Sequence, residues 1–206
     1  SAMILPSTSR EPVWHTLFTG PQFVIPKLIH PWLTDMGSLT QALINSSRHD
    51  FQVRVHYQGW QAATASERDL LQIPARQRTL VRLVRLYTQQ RPAVFARTVI
   101  PQRSLVGRTR GLRQLGQQPL GAALFADSST RRSLCQFACF KPRHLLYQQA
   151  CRTLNIAPAS IWGRRTVYRY AGQHLLVNEL FLPDLPDYPT CRNHLAGTNG
   201  CQATGN

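Results

Sequence analysis

The sequence predicts an α+β domain in which helices flank an antiparallel sheet. Two pairs of strand-like segments, within residues 79–100 and 162–182, are each joined by a short turn. The segments follow the order helix, strands, short helices and strands, and no segment repeats. Strands joined by short turns pair antiparallel, and this order differs from alternating βαβ units. With 206 residues and 43% hydrophobic content, the chain is long enough for one domain with its own core.

The first third of the chain contains one clear helix and one clear strand. Ser1-Ala2-Met3 is interpreted as a cloning remnant, and the proline-punctuated residues 4–31 are expected to wrap the surface. Ser38 can cap a helix that packs its apolar residues within 39–44 inward. Apolar and polar residues alternate over 51–57, which is typical of an amphipathic strand.

A hairpin is predicted in the middle of the chain, after a polar turn or short helix at residues 66–78. Its strands are Thr79–Tyr87 and Ala93–Ile100, joined by residues 88–92. Both faces of the first strand carry one arginine among three large apolar residues. Periodicity therefore does not decide whether Arg82 or Arg85 points inward.

Short helices are predicted after this hairpin. Ser104–Leu115 is expected to form one that stops at Gly116, and Pro119-Leu120-Gly121 opens another that ends near Phe125. Arg131–Leu154 has a helical pattern that Pro142 should break or kink.

A second hairpin is predicted near the end of the domain, with strands over 162–170 and 174–182 and a turn at residues 171–173. After residue 183 the composition changes to Pro, Asp, Asn, Gly and Thr. We therefore expect one domain over residues 4–183 and a loosely attached tail over 184–206.

The composition leaves the partner of the chain open. A formal charge of +15, with 22 Arg and 2 Lys, indicates an anionic partner such as nucleic acid, an acidic membrane surface or a charged small substrate. The arginines are dispersed among apolar residues and form no nucleic-acid-binding motif. No apolar run is long enough to span a bilayer, so no stable membrane insertion is expected.

The cysteines and the N-terminal sequence predict a cytoplasmic protein without a metal site. Five cysteines are an odd number with no CxxC pair, and no secretory signal is visible. Cys135 and Cys139 would share a helix face, but no histidine lies at ligand spacing. A hydrolase is not favoured either, since no nucleophile elbow is present.

Glu179 is the strongest candidate for a functional residue. It lies within the apolar, strand-like run 174–183, and the chain contains only three glutamates. A carboxylate in such a run either turns to water or is held inside by a partner, because burying it alone is costly. In this chain that partner is an arginine or a ligand that an arginine also binds. A polar residue on the wet face of a strand remains the alternative from this segment alone.

Short segments over roughly residues 30–183 resemble, in order, the chorismate pyruvate-lyase family. Each is a weak motif by itself, and their common order makes the resemblance much stronger. They are Trp32-Leu33-Thr34-Asp35 with Gly37-Ser38-Leu39-Thr40, Val81-Arg82, Ala96-Arg97-Thr98-Val99-Ile100-Pro101, Leu115-Gly116, Pro119-Leu120-Gly121 with Leu124-Phe125, Trp162-Gly163-Arg164-Arg165, and Leu175-Leu176-Val177-Asn178-Glu179-Leu180-Phe181-Leu182-Pro183.

The resemblance implies an enclosed ligand site and a role for several residues. Arg82 would bind the ring carboxylate, backbone N–H groups near Leu39 and Leu120 would complete that site, and Glu179 would face the ring hydroxyl. Arg97 and Arg165 are candidates for the pyruvyl carboxylate, although each equally fits pairing with an acid or facing solvent. The segment 126–161 is longer than in the bacterial quinone-pathway enzymes, by about a helical hairpin.

The resemblance predicts a cytoplasmic, monomeric chorismate lyase that needs no metal or organic cofactor. Its substrate would be chorismate, and its products 4-hydroxybenzoate, which feeds benzoquinone biosynthesis, and pyruvate. Two alternatives belong to other classes: a non-catalytic effector-binding domain of the same fold, and a basic nucleic-acid-binding module. Retention of both Arg82 and Glu179 favours the enzyme.

Overall fold

The computed structural model describes residues 10–16, 24–48 and 50–189. The predicted cloning remnant at residues 1–3 and residues 190–206 of the predicted tail lie outside the described residues. Within them, no helix is long and apolar enough to cross a membrane.

Seven antiparallel strands of the described residues form one sheet, in the order β1-β5-β6-β7-β4-β3-β2. This confirms the predicted α+β class. The strands are β1 (His15–Thr16), β2 (Phe51–Gln61), β3 (Thr79–Thr88), β4 (Arg91–Pro101), β5 (Arg131–Phe140), β6 (Ile161–Tyr170) and β7 (Gln173–Phe181).

Both predicted hairpins are present, and each turns through two residues. Gln89 and Gln90 connect β3 to β4, and Ala171 and Gly172 connect β6 to β7. All four have positive φ angles, between 48° and 79°. Two consecutive residues in this conformation match the right-handed twist of the flanking strands. The second turn is one residue shorter than predicted, because Gln173 already belongs to β7.

In the part of the chain that the structure describes, five short α-helices cover the sheet: α1 (His30–Thr34), α2 (Leu39–Ser46), α3 (Ala65–Leu71), α4 (Leu120–Ala126) and α5 (Leu145–Cys151). The predicted Ser38 cap is confirmed, since the Ser38 hydroxyl accepts a hydrogen bond from the Gln41 N–H. Thr64 and Glu67 form a capping box at the start of α3. The short helix predicted over 104–115 consists instead of two 3₁₀ segments, at Gln102–Ser104 and Gly107–Gln114.

The helix predicted over Arg131–Leu154 is wrong for its first half. Arg131–Phe140 is strand β5, which pairs with β6 on one side and with β1 on the other. Only Leu145–Cys151 is helical. Segment 126–161 therefore supplies a strand of the main sheet and one short helix, and no helical hairpin. Cys135 and Cys139 accordingly lie on a strand.

The sheet has two buried faces, each covered by different helices. The front face carries Arg82 and Glu179, and α1, α2 and α4 pack against it. The back face carries Leu83, Arg85 and Arg97, and α3 and α5 pack there. Neighbouring residues on a strand point to opposite faces. Because both faces are buried, the central strands carry apolar residues at consecutive positions.

The described start of the predicted tail packs against the domain. Leu185 is buried in the front-face core. The Trp32 indole N–H donates to the Pro186 carbonyl at 3.1 Å, and the Tyr188 ring meets the Trp32 ring edge-on. Residues 184–189 thus cover α1 on the front side of the sheet.

Candidate functional site

A pocket lies on the front face of the sheet, between the central strands and the N-terminal ends of α2 and α4. We call it the front pocket. It encloses about 570 Å³ of empty space, including its solvent-open mouth. Most of its lining is apolar, and its charged side chains are Arg82 and Glu179. The lining residues are Leu39, Thr40, Val53, Arg82, Val84, Leu86, Ala96, Thr98, Pro119, Leu120, Gly121, Leu124, Phe125, Tyr168, Val177 and Glu179.

Strand register brings Arg82 and Glu179 into the same pocket from distant positions in the chain. Arg82 on β3 is opposite Thr98 on β4, which is opposite Val177 on β7. Glu179 follows two residues later and so points to the same face. Sheet spacings put the two Cα atoms about 12 Å apart. A small ring between them can be contacted by both side chains.

Arg82 is a buried cation without a carboxylate partner in the described part of the chain. Only 4% of the residue is exposed. Its Nη1 donates to Gln58 Oε1 at 3.1 Å, and its Nη2 donates to the carbonyls of Gly116 and Gln118 at 2.8 and 3.0 Å. Burial lowers the pKa of the Arg82 guanidinium. The three neutral acceptors hold the side chain in place, and its positive charge is left for a ligand.

The ends of two helices border the pocket beside Arg82. Leu39 is the first residue of α2 and Leu120 the first residue of α4, and both line the pocket. N–H groups in the first turn of a helix have no partner within the helix and carry partial positive charge. Gly121 allows the two helices to approach, since a Cβ there would lie 2.9 Å from Thr40 Oγ1.

Glu179 is held inside by Arg164, a residue that the sequence prediction did not place in the site. The Arg164 Nε donates to Glu179 Oε2 at 2.5 Å, and both side chains are almost fully buried. Arg164 Nη1 also donates to the carbonyls of Trp32 and Asp35, which connects Glu179 to α1. Burial is the largest single effect and lowers the pKa of Arg164, but the charge and the hydrogen bond of Glu179, together with Tyr168 and Cys135, outweigh it and raise the pKa.

One oxygen of Glu179 is available to a ligand. Among the described residues, the hydrogen bond to this carboxylate goes to Oε2, and none reaches Oε1. The residue is 8% exposed and lines the front pocket. The alternative of a solvated polar residue on a wet strand face is therefore wrong.

Tyr168 forms part of the wall next to Glu179. Burial, together with the negative charge of Glu179, raises its pKa to about 12. Its ring meets Phe125 of α4 edge-on, and the Arg132 guanidinium lies within 5.3 Å of both ring centroids. Arg132 also donates to the carbonyl of Gly37. This arginine thus connects β5 to α4 and to the loop before α2.

Arg97 and Arg165 do not line the front pocket. Both lie on the back face, because Arg97 is opposite Leu83 and Arg165 is opposite Asn178. Arg97 forms a buried ion pair with Glu67, with Nε 2.7 Å from Oε1. Arg165 donates to Gln136 and Ser66. The candidate role of these two arginines at the pyruvyl carboxylate is therefore wrong for the front pocket. Arg97 pairs with a glutamate and Arg165 donates to polar groups, both on the opposite face of the sheet.

No group of three or more His, Cys, Asp or Glu side chains in the described residues is arranged to hold a metal ion. Cys135, Cys139 and Cys151 are free thiols. Independence from metals and cofactors stays a prediction.

Comparison with known proteins shows which family this chain resembles. A family model described as chorismate lyase matches residues 16–188. A probable chorismate pyruvate-lyase of Azoarcus sp. is 41% identical over 176 residues, which cover 82% of this chain and 93% of the relative. A protein of the same description from Methylobacillus flagellatus is 40% identical over 159 residues, covering 77% and 89%.

Solved structures show the same fold at low sequence identity. The effector domain of PhnF from Mycobacterium smegmatis aligns with a TM-score of 0.53 and 15% identity, covering 73% of this chain and 91% of that one. The ligand-binding domain of a putative GntR-family regulator from Bordetella bronchiseptica aligns with a TM-score of 0.50 and 15% identity, covering 69% and 89%.

Proposed function

The chain belongs to the chorismate lyase family, and we propose that it acts through the front pocket, with Arg82 on the ring carboxylate and Glu179 at the ring hydroxyl. The protein is a carbon–oxygen lyase that eliminates pyruvate from chorismate and releases 4-hydroxybenzoate. The observation that carries the site assignment is a buried, unpaired Arg82 in the same apolar pocket as Glu179.

Binding of the ring carboxylate follows from the donors at one end of the pocket. Arginine remains charged when desolvated, and its planar group matches a carboxylate. N–H groups at Leu39 and Leu120 add partial positive charge from the ends of α2 and α4. Leu39, Leu120, Val84 and Leu124 then enclose the ring in an apolar surround.

The reaction needs positioning more than added reagents. The bond between the ring carbon and the enolpyruvyl oxygen breaks, the ring carbon bearing the hydroxyl loses its proton, and the enolpyruvyl methylene gains one to give pyruvate. The ring becomes aromatic, which supplies the driving force. The pocket contributes by fixing the geometry and excluding water.

Glu179 can take part in this step in two ways. Its free Oε1 can accept the proton from the ring carbon as a general base. Alternatively, the proton passes directly to the methylene and Glu179 only hydrogen-bonds the hydroxyl to orient the ring. The ion pair with Arg164 fixes the carboxylate in either case.

The setting of the reaction is also part of the proposal. The protein would work as a monomer in the cytoplasm, without nucleic acid, and its product would feed benzoquinone biosynthesis. The free thiols of Cys135, Cys139 and Cys151 fit a reducing compartment. The expected domain spans residues 4–183.

Incubation of the purified protein with chorismate tests the function. We expect 4-hydroxybenzoate and pyruvate to form in equal amounts, with loss of activity when Arg82 is replaced. Tight binding of 4-hydroxybenzoate without any turnover would instead indicate an effector-binding domain. Turnover that vanishes when salt is raised, together with salt-sensitive RNA or DNA binding, would favour a nucleic-acid partner.

A further inference from the structure

A second cleft lies on the back face of the sheet, beside α5, and we call it the back cleft. No described residue lines both the back cleft and the front pocket. Leu83 and Phe95 form apolar lining, while Arg85, His56, Arg152 and Gln149 provide polar groups. The lyase reaction uses none of these residues.

Arg85 is as deeply buried as Arg82 and also has no carboxylate partner among the described residues. It is 3% exposed and lines the back cleft. Its Nη2 donates to the carbonyls of Gln149 and Ala150 at 2.8 and 3.2 Å, at the C-terminal end of α5. Its Nε is fully buried and has no hydrogen-bond partner. A buried donor of a charged group that is left unpaired costs free energy unless something occupies it.

The other buried arginines of the sheet show what is missing at Arg85. Arg97 and Arg164 each form an ion pair with a glutamate. Arg165 donates to neutral groups but lies within the electrostatic reach of Glu11 and Glu67. Arg82 faces a pocket that receives a carboxylate in the proposed function. Buried charges are generally paired, so an anion from outside the chain is the partner that completes Arg85.

The charges around the cleft favour an anion as well. His56 and Arg152 line it, and no acidic side chain of the described residues does. The pKa of Arg85 is lowered mainly by burial and also by the positive charge of Arg152, against smaller raising effects of Tyr87 and Cys151. The pKa of His56 is lowered by burial and then by Arg85 and Arg54. The Gln149 Oε1 is also buried without a partner, which leaves an acceptor for a donor group on the same ligand.

We propose that the back cleft is a second binding site, for a small organic acid with an apolar body. The carboxylate accepts from Arg85, with Arg152 at the mouth of the cleft, and the apolar body packs against Leu83 and Phe95. The Phe95 ring already stacks near the guanidinium, with its centroid 5.4 Å from Arg85 Cζ. This site lies outside the lyase reaction and does not depend on the function of the front pocket.

Benzoate is a suitable probe, used with the Arg82→Ala variant so that the front pocket does not compete. We expect saturable binding by calorimetry, and a rise in the pKa of His56 on binding, followed by NMR. Arg85→Met and Arg152→Glu should each weaken benzoate binding about tenfold or more. Arg152 is exposed, so Arg152→Glu tests the cleft even if Arg85→Met does not fold. With Arg82 intact, both variants should convert chorismate at the wild-type rate.

Neutral benzamide and inorganic phosphate are control probes that test whether the ligand needs both a charge and an apolar body. Benzamide lacks the charge and phosphate lacks the apolar body, so both should bind more weakly than benzoate. The proposal is overturned if benzoate does not saturate, if the two variants bind it as tightly as their parent, or if either control probe matches benzoate. None of these results bears on chorismate turnover, which tests the front pocket separately.

Discussion

Replacing Arg82 with alanine should strongly weaken ligand binding in the front pocket. The residue is 4% exposed and holds the one unpaired positive side chain that lines this pocket in the described residues. Loss of a buried, charge-assisted contact to a carboxylate costs about 2–5 kcal/mol, which is roughly 30- to several thousand-fold in affinity. Fluorescence or calorimetric titration with 4-hydroxybenzoate measures this loss. Arg82→Lys should restore only part of it, because an ammonium group does not reproduce the planar fork.

The same substitution also affects folding, and a matched control separates the two effects. Arg82 donates to Gln58, Gly116 and Gln118, so its loss should lower the free energy of unfolding by about 1–3 kcal/mol. Arg85→Ala removes an equally buried arginine three residues later on the back face. It should destabilise the fold comparably while keeping product affinity in the front pocket. Unchanged product affinity in folded Arg82→Ala would refute the assignment of the ring carboxylate.

Four further results are expected. Glu179→Gln should reduce turnover about 10²–10⁴-fold if Glu179 is a general base, and by less if it only orients the ring. An unchanged turnover rate would show that Glu179 has no role in the reaction. Gly121→Ala should weaken product binding, because the added Cβ would lie 2.9 Å from Thr40 Oγ1 and push α2 and α4 apart. Gly111→Ala is the control, because a Cβ there has nothing within 4 Å. Tyr168 has a pKa raised from 10.0 to about 12, so it binds its proton more tightly in the folded protein than in the unfolded one. Its contribution to the free energy of unfolding is therefore complete below pH 10 and is lost as the pH rises towards 12. In denaturant titrations, Tyr168→Phe should lose less stability at alkaline pH than wild type, and an equal loss would contradict this. Activity should survive a metal chelator, and a loss that one divalent ion restores would show a metal requirement.

The ion pair between Glu179 and Arg164 changes what sequence reasoning implies about stability. A lone internal carboxylate is a liability to the fold, so Glu179→Gln appears neutral or stabilising from sequence alone. In the structure this substitution leaves Arg164 buried without its counter-charge. Removing one partner of a buried pair costs up to about 3–5 kcal/mol. We therefore expect Glu179→Gln to unfold at lower denaturant concentration than wild type.

The length of one turn decides which arginine lies opposite Glu179. In the observed hairpin Tyr170 is opposite Gln173, and the two-residue turn places Arg164 directly opposite Glu179. A three-residue turn at 171–173 would shift the register by one and bring Arg165 to that position. Ala171 and Gly172 both have positive φ angles, 48° and 79°, as a two-residue hairpin turn requires, and only the glycine is a favoured residue for this conformation.

The back-face position of Arg97 could have been predicted from the first hairpin. Its predicted strands already place Arg82 opposite Thr98, so the neighbouring Arg97 must point to the other face. The choice between Arg82 and Arg85 was different, since both faces of β3 are buried and both arginines are inside. Only the family resemblance identified Arg82.

Strand β5 was predicted as a helix for a physical reason. Arg131–Phe140 contains no Val, Ile or Thr, so its composition does not favour a strand. It becomes one because β6 and β1 offer hydrogen-bonding edges on both sides. Such long-range pairing is not visible in local sequence. The hairpins and the Ser38-capped helix were predicted correctly because their signals are local.

The structure of the complex with 4-hydroxybenzoate tests the central claim most directly. We expect one molecule in the front pocket, with its carboxylate within hydrogen-bonding distance of the Arg82 guanidinium and the N–H groups at Leu39 and Leu120. Its hydroxyl should point at Glu179 Oε1. A ring bound in the reverse orientation, or bound only outside this pocket, would contradict the proposed roles of Arg82 and Glu179.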